Sequence, residues 1–233
     1  MTSIAANLQA VRARIAAASI AAGRPPESVR LLAVSKTWPA ASVREAVAAG
    51  QRAFGENYVQ EAVDKAAELA GLNESGLEWH FIGPLQSNKT RLVAENFSWV
   101  HSVDRLKIAE RLAAQRPPDL APLQVCIQVN VSGEASKSGC APDQAATLAH
   151  AVAALPRLRL RGLMGIPEPA EDSSLQRSRF VLLRQLRDRL NAEGLGLDTL
   201  SMGMSHDLEA AIMEGATLVR VGTAIFGERN YTT

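Results

Sequence analysis

The stretch LLAVSKTWP, residues 31–39, decides the fold class that this sequence predicts. Its first four residues are apolar and typical of a short buried strand, and the strand runs directly into a lysine. A doubly wound nucleotide-binding sheet carries a G-x-G-x-x-G turn after its first strand, whereas SKTWP contains no glycine. The turn therefore disfavours that fold, which remains the alternative, and it raises the question of what Lys36 does at a strand end.

Short apolar runs of strand character recur along the whole chain, and a helical pattern follows each of them. Strict alternation of strand and helix predicts parallel pairing, because parallel neighbours need a crossover that is normally helical. Eight such units close into a (β/α)8 barrel, and the 233 residues of the chain approach the ~250 typical of that fold. The predicted strands are 31–36, 53–55, 79–83, 98–102, 123–131, 160–165, 198–203 and 217–222.

The sequence thus predicts a single α/β domain of the (β/α)8 TIM-barrel type over residues 1–233. Within segment 1–23, apolar positions recur at helical spacing, and Arg12 and Arg14 interrupt the apolar run. This segment is therefore predicted to be a helix packed on the barrel and not a signal peptide. No linker, low-complexity tract or charge run indicates a domain boundary.

Composition and charge argue against several classes of protein. Lys and Arg number 25 and Asp and Glu 24, so a net charge of +1 predicts no binding of nucleic acid or of an anionic membrane surface. No apolar run approaches the roughly 20 residues of a membrane span. Cys126 and Cys140 form no disulfide framework, so the cytoplasm is the expected location. The four histidines lack metal-binding spacing, and no metal site is expected.

Two glycine- and hydroxyl-containing turns follow the last two predicted strands: SMGMS (201–205) and VGTA (221–224). Barrel enzymes often bind phosphate at these two positions. Glycine lets the backbone approach an anion closely, and serine or threonine supplies a further donor. Taken together the turns predict a phosphate site, although each alone is also compatible with an ordinary tight turn and a capping serine.

Two cations are expected at the same barrel mouth. Alternation along LVRVG puts Arg220 on the face opposite its flanking valines, and alternation along the first strand puts Lys36 on the face of Val34. Two cations so placed repel each other unless an anion lies beside them, and a phosphorylated ligand would satisfy both. The alternative for Arg220 is a structural ion pair with an acid such as Glu56, because a buried charge needs a partner.

The lysine suggests the chemical class of that ligand. Neutral lysine adds to aldehydes to give a Schiff base, so a lysine beside a phosphate site points to a phosphorylated aldehyde. Pyridoxal 5'-phosphate (PLP) is the obvious candidate. Lysine aldolases built on barrels have similar parts, so these residues alone leave the ligand open.

Five segments, in the same order, resemble the pyridoxal phosphate homeostasis proteins: AVSKTWP, FGENYVQE, WHFIGPLQSNK, LSMGMSHDLEAAI and GATLVRVGTAIFGERNY. The resemblance extends from about residue 30 to Tyr231. It implies a monomeric barrel like the N-terminal domain of alanine racemase, with PLP held covalently on Lys36. By this resemblance, Arg220 would face the pyridine nitrogen and Asn57 would lie near the ring. The residues implied for the phosphate are Ser201, Met202, Ser205, Gly222 and Thr223.

The resemblance also implies a function: a cytoplasmic carrier and buffer of PLP that contacts apo PLP enzymes transiently and has no catalytic residues of its own. An arginine at the pyridine nitrogen weakens carbanion chemistry, because it does not favour the protonated ring. Alanine racemases carry an additional β domain and a catalytic tyrosine supplied across a dimer, for which 233 residues leave no room. A racemase-like PLP enzyme that uses the same site is the alternative.

A further segment, GEASKSG (133–139), is similar to a phosphate-binding P-loop, but Ser136 stands where the glycine before the lysine belongs. It also follows the fifth strand and not the first. Lys137 is therefore interpreted either as a mobile secondary lysine that accepts the aldehyde or as a solvated loop lysine.

Overall fold

A computed structural model describes residues 3–71, 76–133, 138–168 and 173–228. Eight parallel strands in chain order form a closed barrel, in which the first strand pairs with the eighth. This closure confirms the predicted fold class and excludes the open doubly wound sheet. The strands are β1 Arg30–Val34, β2 Ala53–Glu56, β3 Glu78–Phe81, β4 Trp99–Val103, β5 Leu123–Val129, β6 Leu158–Gly165, β7 Thr199–Ser201 and β8 Leu218–Val221.

Helices follow the strands and cover the outside of the barrel. They are α1 Ile4–Ala21, α2 Ala40–Ala48, α3 Val59–Glu68, α4 Thr90–Asn96, α5 Leu106–Gln115, α6 Ala145–Ala153, α7 Ser173–Ala192, α8 Leu208–Met213 and α9 Thr223–Phe226, with a 3-10 turn at Ser87–Lys89 before α4. None of the helices in the described ranges is long and apolar enough to cross a bilayer.

The amino-terminal helix α1 precedes the first strand and lies on the helical layer. Ser3 caps it by accepting a hydrogen bond from the backbone N–H of Ala6. Its buried stripe, which includes Leu8, Val11 and Ile15, packs where α1 meets α2, α8 and α9. Helix α1 is therefore held on the outside of the barrel by apolar contacts with three other helices, α2, α8 and α9.

The strands present two different faces. Val219 and Val221 belong to the large apolar core between the strands and the helices, whereas Leu32, Ala53 and Leu218 form a separate buried cluster inside the barrel. Alternation along a strand therefore points every second side chain into the interior. Part of that interior is polar, because two histidines, a serine and an arginine are buried there among the apolar side chains.

Several predicted strands end earlier in the structure than in the sequence pattern. β1 ends at Val34, two residues before the predicted end, and β7 ends at Ser201. Lys36 therefore lies in the turn after β1, where the backbone is no longer bound to the sheet by a regular ladder. Because these strands end early, short turn segments at the mouth of the barrel carry the residues that follow the strands.

Candidate functional site

A cavity of 220 Å³ opens at the carboxyl ends of the strands. Larger hollows of 360 and 480 Å³ lie elsewhere, so size alone does not identify a site. This cavity is distinguished by its chemistry, since an amine, a guanidinium and hydroxyl groups meet an apolar wall. Its lining residues are Val34, Lys36, Asn57, Ile82, Ile166, Met204, Ser205, His206, Arg220, Gly222 and Thr223.

Six of the eight residues expected at the site line this cavity, and two do not. Met202 is fully buried in the apolar core, and Ser201 is fully buried beneath the cavity. The chain turns between these residues and the cavity, because Gly203 has a φ of +95°. Strand alternation does not extend through such a turn, which brings Met204 and Ser205 to the cavity in their place.

Arg220 points into the barrel, as its alternation predicts, and only 4% of its surface is exposed. Its guanidinium donates to the Ser201 carbonyl oxygen at 2.6 Å, to Ser201 Oγ at 2.8 Å and to the Gly165 carbonyl oxygen at 2.9 Å. All three acceptors are neutral. Burial lowers the pKa of Arg220 to about 10, and the nearby Asp207 carboxylate opposes that shift. Arg220 therefore keeps its positive charge at neutral pH.

The expected alternative partner of Arg220, Glu56, is bound to another cation. Lys65 Nζ lies 2.8 Å from Glu56 Oε1, and both side chains are buried. Among the ion pairs of the described residues, none involves Arg220. The interpretation of Arg220 as the partner of Glu56 is therefore wrong, because Lys65 reaches over from α3 and occupies that carboxylate.

The same ion pair fixes the backbone just before Lys36. Lys65 Nζ also donates to the Ser35 carbonyl oxygen at 2.7 Å, and Ser35 Oγ donates to Glu56 Oε1 at 2.7 Å. Burial raises the pKa of the Glu56 carboxyl, and the Lys65 charge opposes this rise. Ser35 is thus bound from both its carbonyl and its hydroxyl, which holds the end of β1 in one position.

The residue after Lys36 is held as well. Thr37 has a φ of +68°, a left-handed conformation that is rare for a β-branched residue and costs on the order of 1–3 kcal/mol. Its backbone N–H donates to Glu61 Oε1 at 2.5 Å, and the same oxygen accepts from Lys65 Nζ at 2.6 Å. The cluster of Glu56, Glu61 and Lys65 therefore clamps both neighbours of Lys36.

Asn57 contributes a polar group to the cavity from the end of β2, the strand that pairs with β1. It directly follows β2, and its Oδ1 is buried without a hydrogen-bond partner among the described residues. Gly83 makes this position possible, because a Cβ at residue 83 would lie 2.5 Å from the Asn57 carbonyl oxygen. A buried carbonyl oxygen without a partner is an acceptor that a ligand in the cavity can satisfy.

The part of the cavity suited to an anion lies at the ends of β7 and β8. Gly222 passes close to β1, since a Cβ there would lie 3.2 Å from the Val34 carbonyl oxygen. Helix α9 begins at Thr223, and the first N–H groups of a helix have no partner within it. The Met204 backbone N–H donates to Asp207 Oδ1 at 2.5 Å, which fixes the loop that carries Ser205.

The apolar wall was not predicted from the sequence. Ile82 directly follows β3, Ile166 directly follows β6, and Val34 and Met204 complete the wall. Their positions just past a strand end could have indicated that they line the cavity. In a single sequence, however, an apolar residue at such a position cannot be distinguished from a residue of the hydrophobic core. His206 also lines the cavity, and Lys137 and Tyr231 lie outside the described residues.

The lining fits a small, flat aldehyde with an anionic substituent. Lys36 supplies the amine, Ile82 and Ile166 supply apolar surface for a ring, and Arg220 supplies a cation at the base. The cavity volume of 220 Å³ is below the roughly 300–1,000 Å³ that hold drug-sized ligands, which favours a single substituted ring over a dinucleotide. The residues present therefore fit PLP.

Comparisons with known sequences agree with this fit. The family described as "Alanine racemase, N-terminal domain" matches residues 6–230. A pyridoxal phosphate homeostasis protein of Pseudomonas aeruginosa is 66% identical over 231 residues, which cover 99% of this chain and 98% of that protein. The protein of the same name from Escherichia coli K12 is 57% identical and covers 100% of this chain and 99% of that protein.

Solved structures give the same result for the fold. PipY of Synechococcus elongatus, in the structure with PLP bound, has a TM-score of 0.84 and 40% identity, and the match covers 97% of this chain and all of PipY. Alanine racemase of Corynebacterium glutamicum has a TM-score of 0.66 at 18% identity over 95% of this chain and 62% of the racemase, which shows a shared fold alone. Together with the sequence matches, these likenesses establish that the chain belongs to the pyridoxal phosphate homeostasis protein family, built on the alanine racemase N-terminal domain.

Proposed function

We propose that this protein binds PLP reversibly as a Schiff base on Lys36 and serves as a carrier and buffer of the cofactor in the cytoplasm. Relatives that are 57% and 66% identical over nearly their whole length are named for pyridoxal phosphate homeostasis. PipY, 40% identical, has been solved with PLP bound. The relatives support PLP as the ligand, and the residues that line the cavity of this chain support the proposed binding residues.

The observation that carries the proposal is that the only two cations lining the cavity in the described part of the chain, Lys36 and Arg220, come from opposite ends of the barrel sequence and meet there. In the proposed arrangement the Lys36 amine bonds the aldehyde carbon and Arg220 faces the pyridine nitrogen. Arg220 Nε makes no hydrogen bond to the described residues, so it is a donor with capacity left for that nitrogen. Asn57 lies beside the ring.

The phosphate is assigned to the turns after β7 and β8. Ser205 and Thr223 offer hydroxyl groups, and Gly222 gives the backbone close access to an anion. Ser201 and Met202 come just before the first of these turns, but Ser201 is buried beneath the cavity and Met202 is buried in the apolar core, which favours a supporting role over direct contact. Thr223→Val is expected to weaken binding of PLP more than binding of pyridoxal. Equal losses for both ligands would place the phosphate elsewhere.

The arginine also bears on whether the protein is an enzyme. Bound PLP supplies an electron sink for carbanions, and the sink is strongest when the pyridine nitrogen is protonated. A charged Arg220 cannot accept a proton and disfavours a proton on that nitrogen. This favours a carrier without dedicated catalytic activity. A racemase-like enzyme is the alternative, because the fold is shared with alanine racemase.

A titration with PLP tests the binding proposal. A Schiff-base absorption band is expected for wild type and for Lys107→Ala, an exposed lysine on α5 that serves as the control. No such band is expected for Lys36→Ala. An unchanged band in Lys36→Ala would overturn the assignment.

A second measurement separates carrier from enzyme. Solvent-deuterium exchange at Cα of a panel of amino acids is expected to stay far below the ~10 s⁻¹ that is typical of enzyme turnover. Exchange near that rate would favour the racemase-like enzyme.

The protein is also proposed to be a monomer that transfers PLP to apo enzymes in transient contacts. Light scattering after size-exclusion chromatography checks the first part, with a mass near 24.9 kDa expected. Transfer that proceeds faster than spontaneous release of PLP from the protein checks the second part.

A further inference from the structure

A line of buried polar side chains crosses the barrel interior beneath the cavity. Arg220 NH1 lies 2.8 Å from Ser201 Oγ, and Ser201 Oγ lies 2.8 Å from His101 Nδ1. His101 Nε2 lies 2.9 Å from His80 Nδ1, and His80 Nε2 lies 3.5 Å from Glu78 Oε2. The line joins the cavity to Glu78, the first residue of β3, at the opposite end of the barrel.

The donors and acceptors fix the direction of this chain of hydrogen bonds. A guanidinium has no acceptor, so Arg220 donates to Ser201 Oγ and leaves the serine hydroxyl proton to be donated. Within the described residues, His101 Nδ1 is the acceptor available to it. A neutral His101 then carries its proton on Nε2 and donates to His80 Nδ1, which leaves the His80 proton on Nε2, facing Glu78.

The reverse direction fails at both ends. If His101 Nδ1 carried the proton, Ser201 Oγ would accept from both Arg220 and His101, and its own hydroxyl proton would have no acceptor among the described residues. His80 would then present an unprotonated Nε2 to the Glu78 carboxylate. An unprotonated Nε2 on the fully buried ring would then face a carboxylate oxygen at 3.5 Å, which is unfavourable for the ring even though the Glu78 side chain is partly exposed.

Burial keeps both imidazoles neutral, as this direction requires. His80 and His101 are completely buried, and this burial lowers the pKa of each, most strongly for His101. Glu78 is ionised, because its contact with His80 is the main cause that lowers its pKa to about 2, and Arg30 contributes. That contact is polar, at 3.5 Å, and is not a regular hydrogen bond, since His80 Nε2 has no hydrogen-bond partner among the described residues. Trp99 stacks on the His80 ring at 5.2 Å between centroids, which restrains that ring's orientation.

We propose that His80, His101 and Ser201 form an oriented hydrogen-bond chain, whose far end faces Glu78, and that this chain positions the Arg220 guanidinium under the cavity. The two histidines are positioning residues, and Ser201 is their link to the arginine. The consequence for PLP rests on the proposed function: a guanidinium held in this way presents Nε to the pyridine nitrogen. Without the chain, Arg220 would keep its charge and its bonds to the Ser201 and Gly165 carbonyl oxygens, but its third acceptor, the Ser201 hydroxyl, would no longer be fixed in direction.

The first test uses the free protein. Nitrogen-15 NMR of labelled wild type is expected to show, for both buried histidines, an unprotonated Nδ1 and a protonated Nε2 at neutral pH. The opposite tautomer at either ring, or an imidazolium, would overturn the proposal. This result does not depend on PLP binding, so it decides the chain even if the proposed function fails.

The second test uses a matched pair of variants. In His101→Asn the side-chain oxygen reaches the place of Nδ1 and still accepts from Ser201, whereas in His101→Gln the amide nitrogen reaches the place of Nε2 and that acceptor is lost. His101→Gln is expected to weaken PLP binding about tenfold, the equivalent of one charged hydrogen bond. His101→Asn is expected to weaken it less, because Asn keeps the acceptor for Ser201 although it lacks the donor to His80.

A ligand control separates orientation of Arg220 from general damage to the site. The 1-deaza analogue of PLP carries C–H in place of the ring nitrogen, so its binding is expected to be the same in both variants and in wild type. Equal losses for PLP and the analogue, or equal losses in the two variants, would contradict the positioning role. If wild type bound neither ligand, the proposed function would fail while the NMR result still decided the chain.

Discussion

Three cations of the described residues are buried, Lys65, Arg116 and Arg220, and two of them, Lys65 and Arg220, are satisfied in opposite ways. Lys65 is bound by two carboxylates, Glu56 Oε1 at 2.8 Å and Glu61 Oε1 at 2.6 Å, and by a carbonyl oxygen. Arg220 is bound by two carbonyl oxygens and a hydroxyl, none of them charged. The charge of Lys65 is therefore neutralised inside the protein, whereas that of Arg220 remains available to the cavity.

Beside the cavity, this difference separates a structural cation from a binding cation. Neutral acceptors alone do not mark a binding cation, because Arg116 donates to three carbonyl oxygens and does not line the cavity. Burying a charge without an anion is costly, and a ligand that complements the charge recovers part of that cost. The Lys65 cluster binds the backbone on both sides of Lys36 and so fixes its position. The hydrogen-bond chain through His80, His101 and Ser201 instead fixes the orientation of the Arg220 guanidinium.

The largest effect is expected from removing the structural cation. Lys65→Met leaves the carboxylates of Glu56 and Glu61 without their cation, and breaking a buried pair in this way costs about 3–5 kcal/mol. Urea denaturation measures the free energy of unfolding, with the exposed Lys107→Met as the control, expected to change it by about 0.5 kcal/mol or less. A loss below about 1 kcal/mol in Lys65→Met would show that the cluster does not stabilise the fold.

Removing the binding cation is expected to give the reverse pattern. Arg220→Met leaves neutral acceptors unpaired but also removes a costly buried charge, so the free energy of unfolding is expected to fall by about 2 kcal/mol or less. PLP affinity is expected to fall about 10- to 100-fold, the equivalent of one charged hydrogen bond. A large stability loss with unchanged affinity would make Arg220 a structural residue like Lys65.

The neutral histidines predict an acid limit to stability. Burial lowers the pKa of both histidines in the folded state, so the unfolded chain binds more protons once the pH falls below the ordinary histidine pKa of 6.5. Their contribution is therefore complete above pH 6.5 and is lost as the pH falls, at up to about 2.7 kcal/mol per pH unit for two protons. The charged groups that face the two rings are Glu78, Arg30 and Arg220.

The control for this pH dependence is His101→Asn, which removes one of the two titrating rings. The slope of unfolding free energy against pH, between pH 5 and 6.5, is expected to fall by up to half. An identical slope in the variant would mean that His101 is protonated in the folded protein, contrary to the oriented chain.

The smallest effect concerns the strained residue beside Lys36. Thr37→Gly relieves a left-handed backbone but adds entropy to the unfolded chain, so the expected result is a gain of about 0–1 kcal/mol in unfolding free energy. Thr147→Gly, at an exposed position inside α6, is the matched control and is expected to be destabilising by roughly 0.5 kcal/mol. A loss in Thr37→Gly equal to that in the control would show that residue 37 stores no strain.

The closed order of the strands and the inward position of Arg220 were predicted because both depend on local periodicity. Lys36 was predicted from the same alternation, but β1 ends at Val34, so Lys36 reaches the cavity from the turn that follows the strand. Ser201 shows where periodicity stops, since the left-handed turn at Gly203 carries Met204 to the cavity and leaves Ser201 beneath it.

Other parts of the site depend on contacts between distant segments, which a single sequence does not contain. Lys65 lies on a helix, where a lysine is normally solvated. Its ion pair with Glu56 was therefore not predictable from the sequence. His101 lies in an apolar strand and gave no functional signal. Its role becomes visible only when β4 and β7 bring it within 2.8 Å of Ser201 Oγ.

Borohydride reduction of the PLP-loaded protein, followed by peptide mapping, tests the central claim most directly. Reduction makes a Schiff base permanent, so the account predicts one pyridoxyl group per chain, on the peptide that contains Lys36. A pyridoxyl group on a different lysine, or the same extent of labelling in Lys36→Ala, would contradict it.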